Sequence, residues 1–281
     1  EKKQTNQFFS KNQILLNTVF EEIKGRRQKQ KTKTYSDNHF TYTSFFVGNN
    51  KFQSHFYTDK STGIKKILLD EQERSVKHKY YKLLNYAISP DKKYLAWVED
   101  VSGDNVGTLY IKSLSDDFLS IKPIERVANS FEWHSDSLSL YYIKINDTGR
   151  RNQIKHTHIN SMLDNEVVYE ESDENYWVGI NKSVDGKHIF IKSYTWSNYE
   201  TYLLTRNITG KHKLKRLIGR ETNSSHSINY IDGYFYIYSN HIGNEYALYK
   251  SKKLPEPALK WELVVDNEGA SQTVTTVATI E

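Results

Sequence analysis

Five aspartate-marked turns, each followed by an apolar and aromatic run, divide this chain into units of nearly constant length. They stand at Ser36-Asp37-Asn38, Pro90-Asp91-Lys92, Ser135-Asp136-Ser137, Val184-Asp185-Gly186 and Ile231-Asp232-Gly233, so the aspartates lie 54, 45, 49 and 47 residues apart. Later strand-like runs keep step with them. A third strand recurs as His55-Phe56-Tyr57, Leu109-Tyr110-Ile111, Ile154-Lys155-His156, Tyr202-Leu203-Leu204 and Ala247-Leu248-Tyr249. An outer strand recurs as Ile67-Leu68-Leu69, Glu125-Arg126-Val127, Val167-Val168-Tyr169, Leu217-Ile218 and Leu263-Val264-Val265. From each aspartate to the middle of its outer strand the offsets are 31, 35, 32, 32 and 32, a register that independent strands would not hold. A period of roughly 40 to 50 residues carrying four short strands is that of a β-propeller blade. The expected fold is all-β: a partial β-propeller over 35–281, with four-stranded units near 35–75, 84–128, 129–171, 176–219 and 225–266, a tail over 267–281, and a helix with a basic linker over 1–34.

An aspartate beside Gly, Pro or Ser bonds its own backbone and tolerates turn dihedrals, so the five markers read as turn-makers rather than catalytic carboxylates. Tyr, Trp and Phe supply 14% of the residues, while 26% are charged and the mean hydropathy is −0.73. No run approaches the roughly 18 apolar residues a membrane-spanning helix needs, so no membrane partner is expected. Cysteine is absent, which removes disulfides and thiolate metal sites and fits a reducing compartment. Cytoplasmic placement is expected. The periplasm stays open because the first residue is Glu1 rather than Met, and no signal peptide is visible.

Ahead of the repeats, Ser10 and Gln13 have capping-box spacing, and Ile14, Leu15, Leu16, Val19, Phe20 and Ile23 form an apolar stripe ending at Gly25. Such a stripe docks either on its own domain or on another. Lys24, Arg26, Arg27, Lys29, Lys31 and Lys33 follow without interleaved aromatics. Nucleic-acid platforms combine basic residues with stacking residues or a recognised module, so the run reads as a solvated linker and no nucleic-acid partner is expected.

The motifs of catalysis are missing. No glycine opens a G-x-S-x-G elbow; Gly269-Ala270-Ser271-Gln272-Thr273 lacks the closing glycine. Neither a G-x-x-x-x-G-K-S/T nor a G-x-G-x-x-G occurs, so no phosphate or dinucleotide cofactor is implied. His156 and His158 alternate along a strand and share a face, but spacing fixes no acidic third ligand, and no metal is assigned. Glu170, Glu171, Asp173 and Glu174 lack the order of a calcium loop and read as a solvated connection between the third and fourth units. No residue is therefore assigned a catalytic, cofactor-binding or metal-binding role.

Several of these stretches resemble one family. Leu68-Leu69-Asp70-Glu71-Gln72, Tyr80-Tyr81, and Tyr86-Ala87-Ile88-Ser89-Pro90-Asp91 running on to Trp97 are similar to the propeller of prolyl oligopeptidase family serine peptidases. So are Phe131-Glu132-Trp133-His134-Ser135-Asp136 with Leu140-Tyr141-Tyr142, and the helix segment Glu21-Glu22-Ile23-Lys24-Gly25-Arg26. Tyr169 through Gly179 resembles most specifically the oligopeptidase B, or protease II, branch. The resemblance implies a seven-bladed propeller that precedes an α/β-hydrolase domain, which carries the Ser-Asp-His triad and the acidic pocket for Arg or Lys. Here five units are visible and no hydrolase motif, so no catalytic residue of the family carries over to any position. The propeller's implied part is to cap the active site and admit short peptides. One departure stands out: after Gly103-Asp104, where relatives tend to place an acidic residue and then a tyrosine, this chain has Asn105 and Gly107.

The expected function is thus the non-catalytic, substrate-gating propeller portion of an oligopeptidase B-like peptidase that cleaves short peptides after basic residues. Its expected partner is the peptidase catalytic domain. The alternative is a free-standing propeller used as a protein-interaction scaffold. Five units of seven leave an open ring, with Tyr234, Tyr236 and Leu248 on an uncovered face open to self-association.

Overall fold

The computed structural model describes residues 2–26, 32–116, 118–119, 121–160, 166–206, 210–220, 224–240, 246–252 and 261–265. The chain divides into two compact units, Glu1–Val76 and Lys77–Glu281. The tail over 267–281 and Arg27, Lys29 and Lys31 of the basic run lie outside the described residues.

The first unit opens with two helical segments, α1 (Lys2–Lys11) and α2 (Gln13–Arg26). The expected capping box is not formed. Ser10 sits inside α1 and its hydroxyl donates to the Gln7 carbonyl at 3.0 Å, while the Asn12 carbonyl accepts the Leu16 N–H at 3.0 Å and starts the second segment. Gly25 does not end the helix either, since α2 runs on to Arg26. Neither segment buries a residue, and Ile14, at the head of the stripe, is 85% exposed. Lys24 and Arg26 pair with Glu21 and Glu22 on α2 itself.

Four antiparallel strands follow, β1 (Lys33–Ser36), β2 (Phe40–Phe45), β3 (Ser54–Asp59) and β4 (Lys65–Asp70), hydrogen-bonded in chain order. Lys33, counted with the basic run, pairs with Ser44 as the first residue of β1. A short helix, α3 (Glu71–Ser75), closes the unit, with the Asp70 carboxylate accepting the N–H groups of Gln72 and Glu73 as its N-cap.

In the second unit the order is β5 (Lys82–Ile88), β6 (Tyr94–Asp100), β7 (Gly107–Ser113), β8 (Ile124–Trp133), β9 (Ser139–Ile145), β10 (Arg151–His158) and β11 (Glu166–Glu170), joined in one seven-stranded antiparallel sheet. Then come β12 (Trp177–Lys182), β13 (Ile189–Tyr194), β14 (Tyr199–Arg206) and β15 (His212–Ile218), and β16 (His226–Ile231), β17 (Tyr234–Ser239), β18 (Ala247–Ser251) and β19 (Glu262–Val265), each a four-stranded sheet. The seven-stranded sheet is two blades sharing one strand. Residues at the start of β8 pair with β7 as an outer strand, and Phe131 to Trp133 pair with β9 as the next blade's inner strand. The register with β9 breaks between Val127 and Phe131, and Arg126 takes φ +58 in the irregularity against β7, between Ile124 and Val127. Every third and outer strand expected from the repeat is present, in five blades.

The markers make turns, as their chemistry requires. Asp37 accepts the N–H groups of His39 and Phe40, both at 2.8 Å; Asp136 accepts those of Leu138 and Ser139 at 2.9 and 2.8 Å. Asp91 and Asp185 accept the N–H two residues on, each at 3.1 Å. In the fifth turn Asp232 and Gly233 themselves adopt positive φ, +49 and +83.

Blades of the second unit meet through three apolar clusters. Val98, Leu109 and Ile111 pack with Trp133, Leu140 and Tyr142 between the second and third blades. Tyr141, Ile143 and Ile154 meet Val178, Ile180 and Ile191 between the third and fourth; Phe190 and Leu203 meet Ile228, Phe235 and Ile237 between the fourth and fifth. Polar bonds lock the registers: Trp133 Nε1 donates to the Ala87 carbonyl at 3.1 Å, Lys182 Nζ to the Trp133 carbonyl at 2.7 Å, and the Val184 N–H to Asn229 Oδ1 at 3.0 Å.

Candidate functional site

Because strands alternate in direction, the hairpin loops 101–106, 146–150 and 195–198, the blade connection 171–176, and Gly219, Arg220, Ser224 and Ser225 gather at one end of the second unit, opposite the marker turns. Three arrangements organise this end.

Asp100, fully buried at the end of β6, gathers the loop after it: its carboxylate accepts the N–H groups of Ser102, Gly103 and Asn105 at 2.9, 2.8 and 2.9 Å. Burial alone would raise this carboxyl, but those bonds outweigh it and hold it below the usual carboxylate range. Asn105 and Gly107 both have local reasons for their residue types. Asn105 takes the left-handed conformation, φ +59, which Asn tolerates better than most residues, and its side chain accepts from Lys82 Nζ at 3.0 Å. At Gly107 a Cβ would stand 2.3 Å from Val98 Cγ1, so the strand approaches too closely for any side chain.

Glu171 corrects the reading of the acidic string as solvated. It is 4% exposed, and its carboxylate takes hydrogen bonds from Ser193 Oγ, from Tyr169 Oη at 3.1 Å, from the Asp173 N–H at 2.9 Å and from Arg220 Nη2 at 2.6 Å. Arg220 also reaches Glu200 at 3.2 Å and lies 3.7 Å over the Tyr176 ring, while Arg150 donates to the carbonyls of Glu171 and Tyr176 at 2.8 and 3.1 Å. Burial pushes the Glu171 carboxyl up, and the Ser193, Asp173, Tyr169 and Arg220 contacts more than reverse it. This clasp ties blade three to blade four and fixes the Tyr169–Gly179 stretch that carries the most specific resemblance.

Beside it, a cleft of about 400 Å³ is lined by Arg151, Trp177, Tyr194, Trp196 and Tyr199, with Trp196 91% exposed. A second cleft of about 370 Å³ lies along blades four and five, where burial lowers the Lys192 amine beside Asn181, Asn229 and Tyr236.

The histidine pair is not brought together as a site. His156 is buried on β10 and faces blade four, whereas His158 accepts the Asn160 N–H at 3.2 Å on its own turn. His156 meets instead His212 of β15, with ring centroids 4.7 Å apart; burial and that neighbour push its imidazole down to about 4. In the first unit Ser44 Oγ lies 2.7 Å from His55 Nδ1 and Glu71 Oε1 lies 2.8 Å from His55 Nε2. That Ser-His-Glu chain follows from register, since Ser44 and His55 are direct cross-strand partners. Ser44 and His55 are both buried, which closes the hydroxyl to a substrate, and the chain acts as a pin holding α3 on β3. Among the described residues no helix is long and apolar enough to cross a membrane.

Comparison with known proteins agrees with this architecture. The family described as the prolyl oligopeptidase N-terminal beta-propeller domain matches residues 1–279. The chain is 28% identical over 127 residues to dipeptidyl aminopeptidase BI of Pseudoxanthomonas mexicana and 26% identical over 141 residues to protease 2 of Moraxella lacunata. Those alignments cover 44% and 49% of this chain but only 18% and 20% of the relatives. Oligopeptidase B from Trypanosoma brucei, solved in its closed form with covalently bound antipain, superposes with a TM-score of 0.81 at 18% identity, over 95% of this chain and 39% of that one. Blade pitch, turn chemistry and a match spanning almost every residue lead to one assignment: the chain belongs to the prolyl oligopeptidase family and forms its N-terminal β-propeller domain.

Proposed function

We propose that this chain is the gating propeller of an oligopeptidase B-like serine peptidase that cleaves short peptides after basic residues, working against a catalytic domain that supplies the Ser-Asp-His triad. The observation that carries this reading is the family match across residues 1–279, joined to a sequence with no nucleophile elbow. A propeller in this role acts before chemistry, as a steric filter that excludes folded substrates and keeps water from the closed site. The end built by Asp100, Glu171 and Arg220 suits it to face such a domain, because its loops are held by buried charge-assisted bonds rather than left mobile. Under the same reading the half-exposed face of Tyr234, Tyr236 and Leu248 receives a further blade, and a chain lacking that cover self-associates. The reading includes a cytoplasmic location, with the periplasm as the alternative; the lack of cysteine supports the first through its fit to a reducing compartment.

The test has two parts. Alone, the chain should show no hydrolysis of Arg- or Lys-containing fluorogenic peptides above buffer, because binding surfaces without an activated nucleophile and oxyanion hole do not lower the acyl-transfer barrier. Coding DNA downstream of Glu281 should encode a G-x-S-x-G region, and the extended product should cleave short basic peptides while sparing folded proteins. An unrelated neighbouring gene, together with an inactive extended product, would overturn the peptidase reading in favour of an interaction scaffold.

A further inference from the structure

Between the third and fourth blades three groups converge whose chemistry the peptidase reading leaves unused. His156 and Glu166 are direct cross-strand partners on β10 and β11, and His212 approaches from β15 of the next blade. One ligand atom from each lies within 4.8 Å of the other two. His156 is 8% exposed, and its Nε2 is buried with no hydrogen-bond partner among the described residues. The His212 side chain is 5% exposed, and its Nδ1 lies 3.1 Å from Glu166 Oε2, so imidazole and carboxylate already face one another in this pocket.

A buried imidazole nitrogen without a hydrogen-bond partner, His156 Nε2, is costly in an apolar interface unless something takes its lone pair. Water is one taker and a cation another. The donor set favours the cation. Two neutral imidazoles and one carboxylate are the nitrogen and oxygen ligands of a three-residue zinc site, with a fourth position for water. His212 already has the outer contact such a ligand needs, because its Nε2 lies 3.1 Å from Tyr141 Oη, leaving Nδ1 as the coordinating atom. Arg206 is the nearby positive charge, and its guanidinium is neutralised by Asp136 at 3.1 Å. Glu166 is 57% exposed and gives the ion a way in from solvent.

We propose that His156, Glu166 and His212 form a zinc site that staples the third blade to the fourth. Ligands at zinc distances in a tetrahedron stand about 3.4 Å apart, so loading draws the widest pair inward by at most about 1.4 Å. The ligand set was hidden from sequence because its members come from three strands of two blades. His156 and His158, the pair that spacing singles out, contribute only one of the three.

Tag-free protein stripped with chelator and titrated with ZnCl2 is the probe. The expected result is one Zn2+ bound per chain, a rise in the thermal midpoint that EDTA reverses, and a tetrahedral visible spectrum when Co2+ is used instead. His156→Gln and His212→Gln should abolish the stoichiometric binding, Tyr141→Phe should weaken it by about tenfold through the outer contact, and His158→Gln should leave it unchanged. Circular dichroism of each metal-free variant keeps loss of folding apart from loss of binding. Absence of stoichiometric zinc in the folded wild-type chain, or binding that survives both ligand variants, would overturn the proposal.

Discussion

The first and third blades are built from the same four-strand pattern behind the same aspartate turn, yet they are buried very differently. In β9 every residue but Lys144 is buried, on both faces; in β2 only Tyr42 and Ser44 are, and β1 is exposed along its whole length. A strand reads as a core strand when another sheet covers each face, so burial in a propeller belongs to the pair of blades rather than to the blade. β17 lies between these cases: Phe235, Ile237 and Ser239 are buried toward blade four, while the alternating Tyr234, Tyr236 and Tyr238 are half-exposed.

The largest expected effect breaks that contrast directly. Phe190 is fully buried where blade four meets blade five, so Phe190→Ala should cost about 3–5 kcal/mol by transfer and cavity together. Tyr236→Ala, on the half-exposed face of β17, should cost below about 1 kcal/mol. Urea midpoints of the two variants measure the difference. Equal losses would mean that both faces of the fifth blade are covered.

The polar clasp should show a smaller effect with a pH signature. Glu171→Gln removes the charge that pairs Arg220 and should cost about 2 kcal/mol near neutrality, less than for a fully buried pair because Arg220 is 31% exposed. Asp100, Glu171 and Asp185 are all held below the ordinary carboxylate values in the folded chain; burial opposes each shift and hydrogen bonds win. Their contribution is therefore present above roughly pH 4 and is lost as pH falls through the lower folded values, where the unfolded chain has already taken up its protons. Thermal midpoints from neutral pH down to acid should fall below that point, and less steeply in Glu171→Gln than in wild type. A flat profile would mean the carboxylates titrate alike in both states.

The repeat was legible because its signals are local: an aspartate that bonds the next N–H groups, then aromatic and aliphatic residues at strand spacing, recur within each unit. What depends on a neighbouring blade was not. Glu171 reads as one of four solvated acids in a row and is buried only because Ser193 and Arg220 come from the next sheet. Similarly, Glu125-Arg126-Val127 reads only as an outer strand, and pairing on both sides shows one continuous strand, β8, serving two blades. At the helices the local signal itself misled. Ser10 and Gln13 have the spacing of a cap, yet the first segment already runs through Ser10, and the second opens at the Asn12 carbonyl, which accepts the Leu16 N–H.

The smallest expected effect concerns the loop from Gly103 to Gly107, and it sharpens the comparison between a covered strand and an exposed loop tip. Gly107 lies on β7 against β6, with Val98 Cγ1 2.3 Å from where a Cβ would stand, Leu84 Cδ1 at 3.1 Å and the Glu99 carbonyl at 3.2 Å. Two of those neighbours are side chains and one is backbone, so Gly107→Ala forces strand and core apart and should cost about 1–3 kcal/mol. Asn105, exposed at φ +59, already occupies the conformation that glycine adopts freely, so Asn105→Gly should change stability by only a few tenths of a kcal/mol. A tyrosine introduced at Gly107 should fail more severely than alanine, because the same clash comes before the ring is placed. The three variants, compared by urea midpoint, separate a glycine required by packing from an asparagine that is merely compatible with its turn. Should Gly107→Ala prove neutral, β7 must lie farther from Val98 than 2.3 Å allows, and packing in this strand would not explain the glycine.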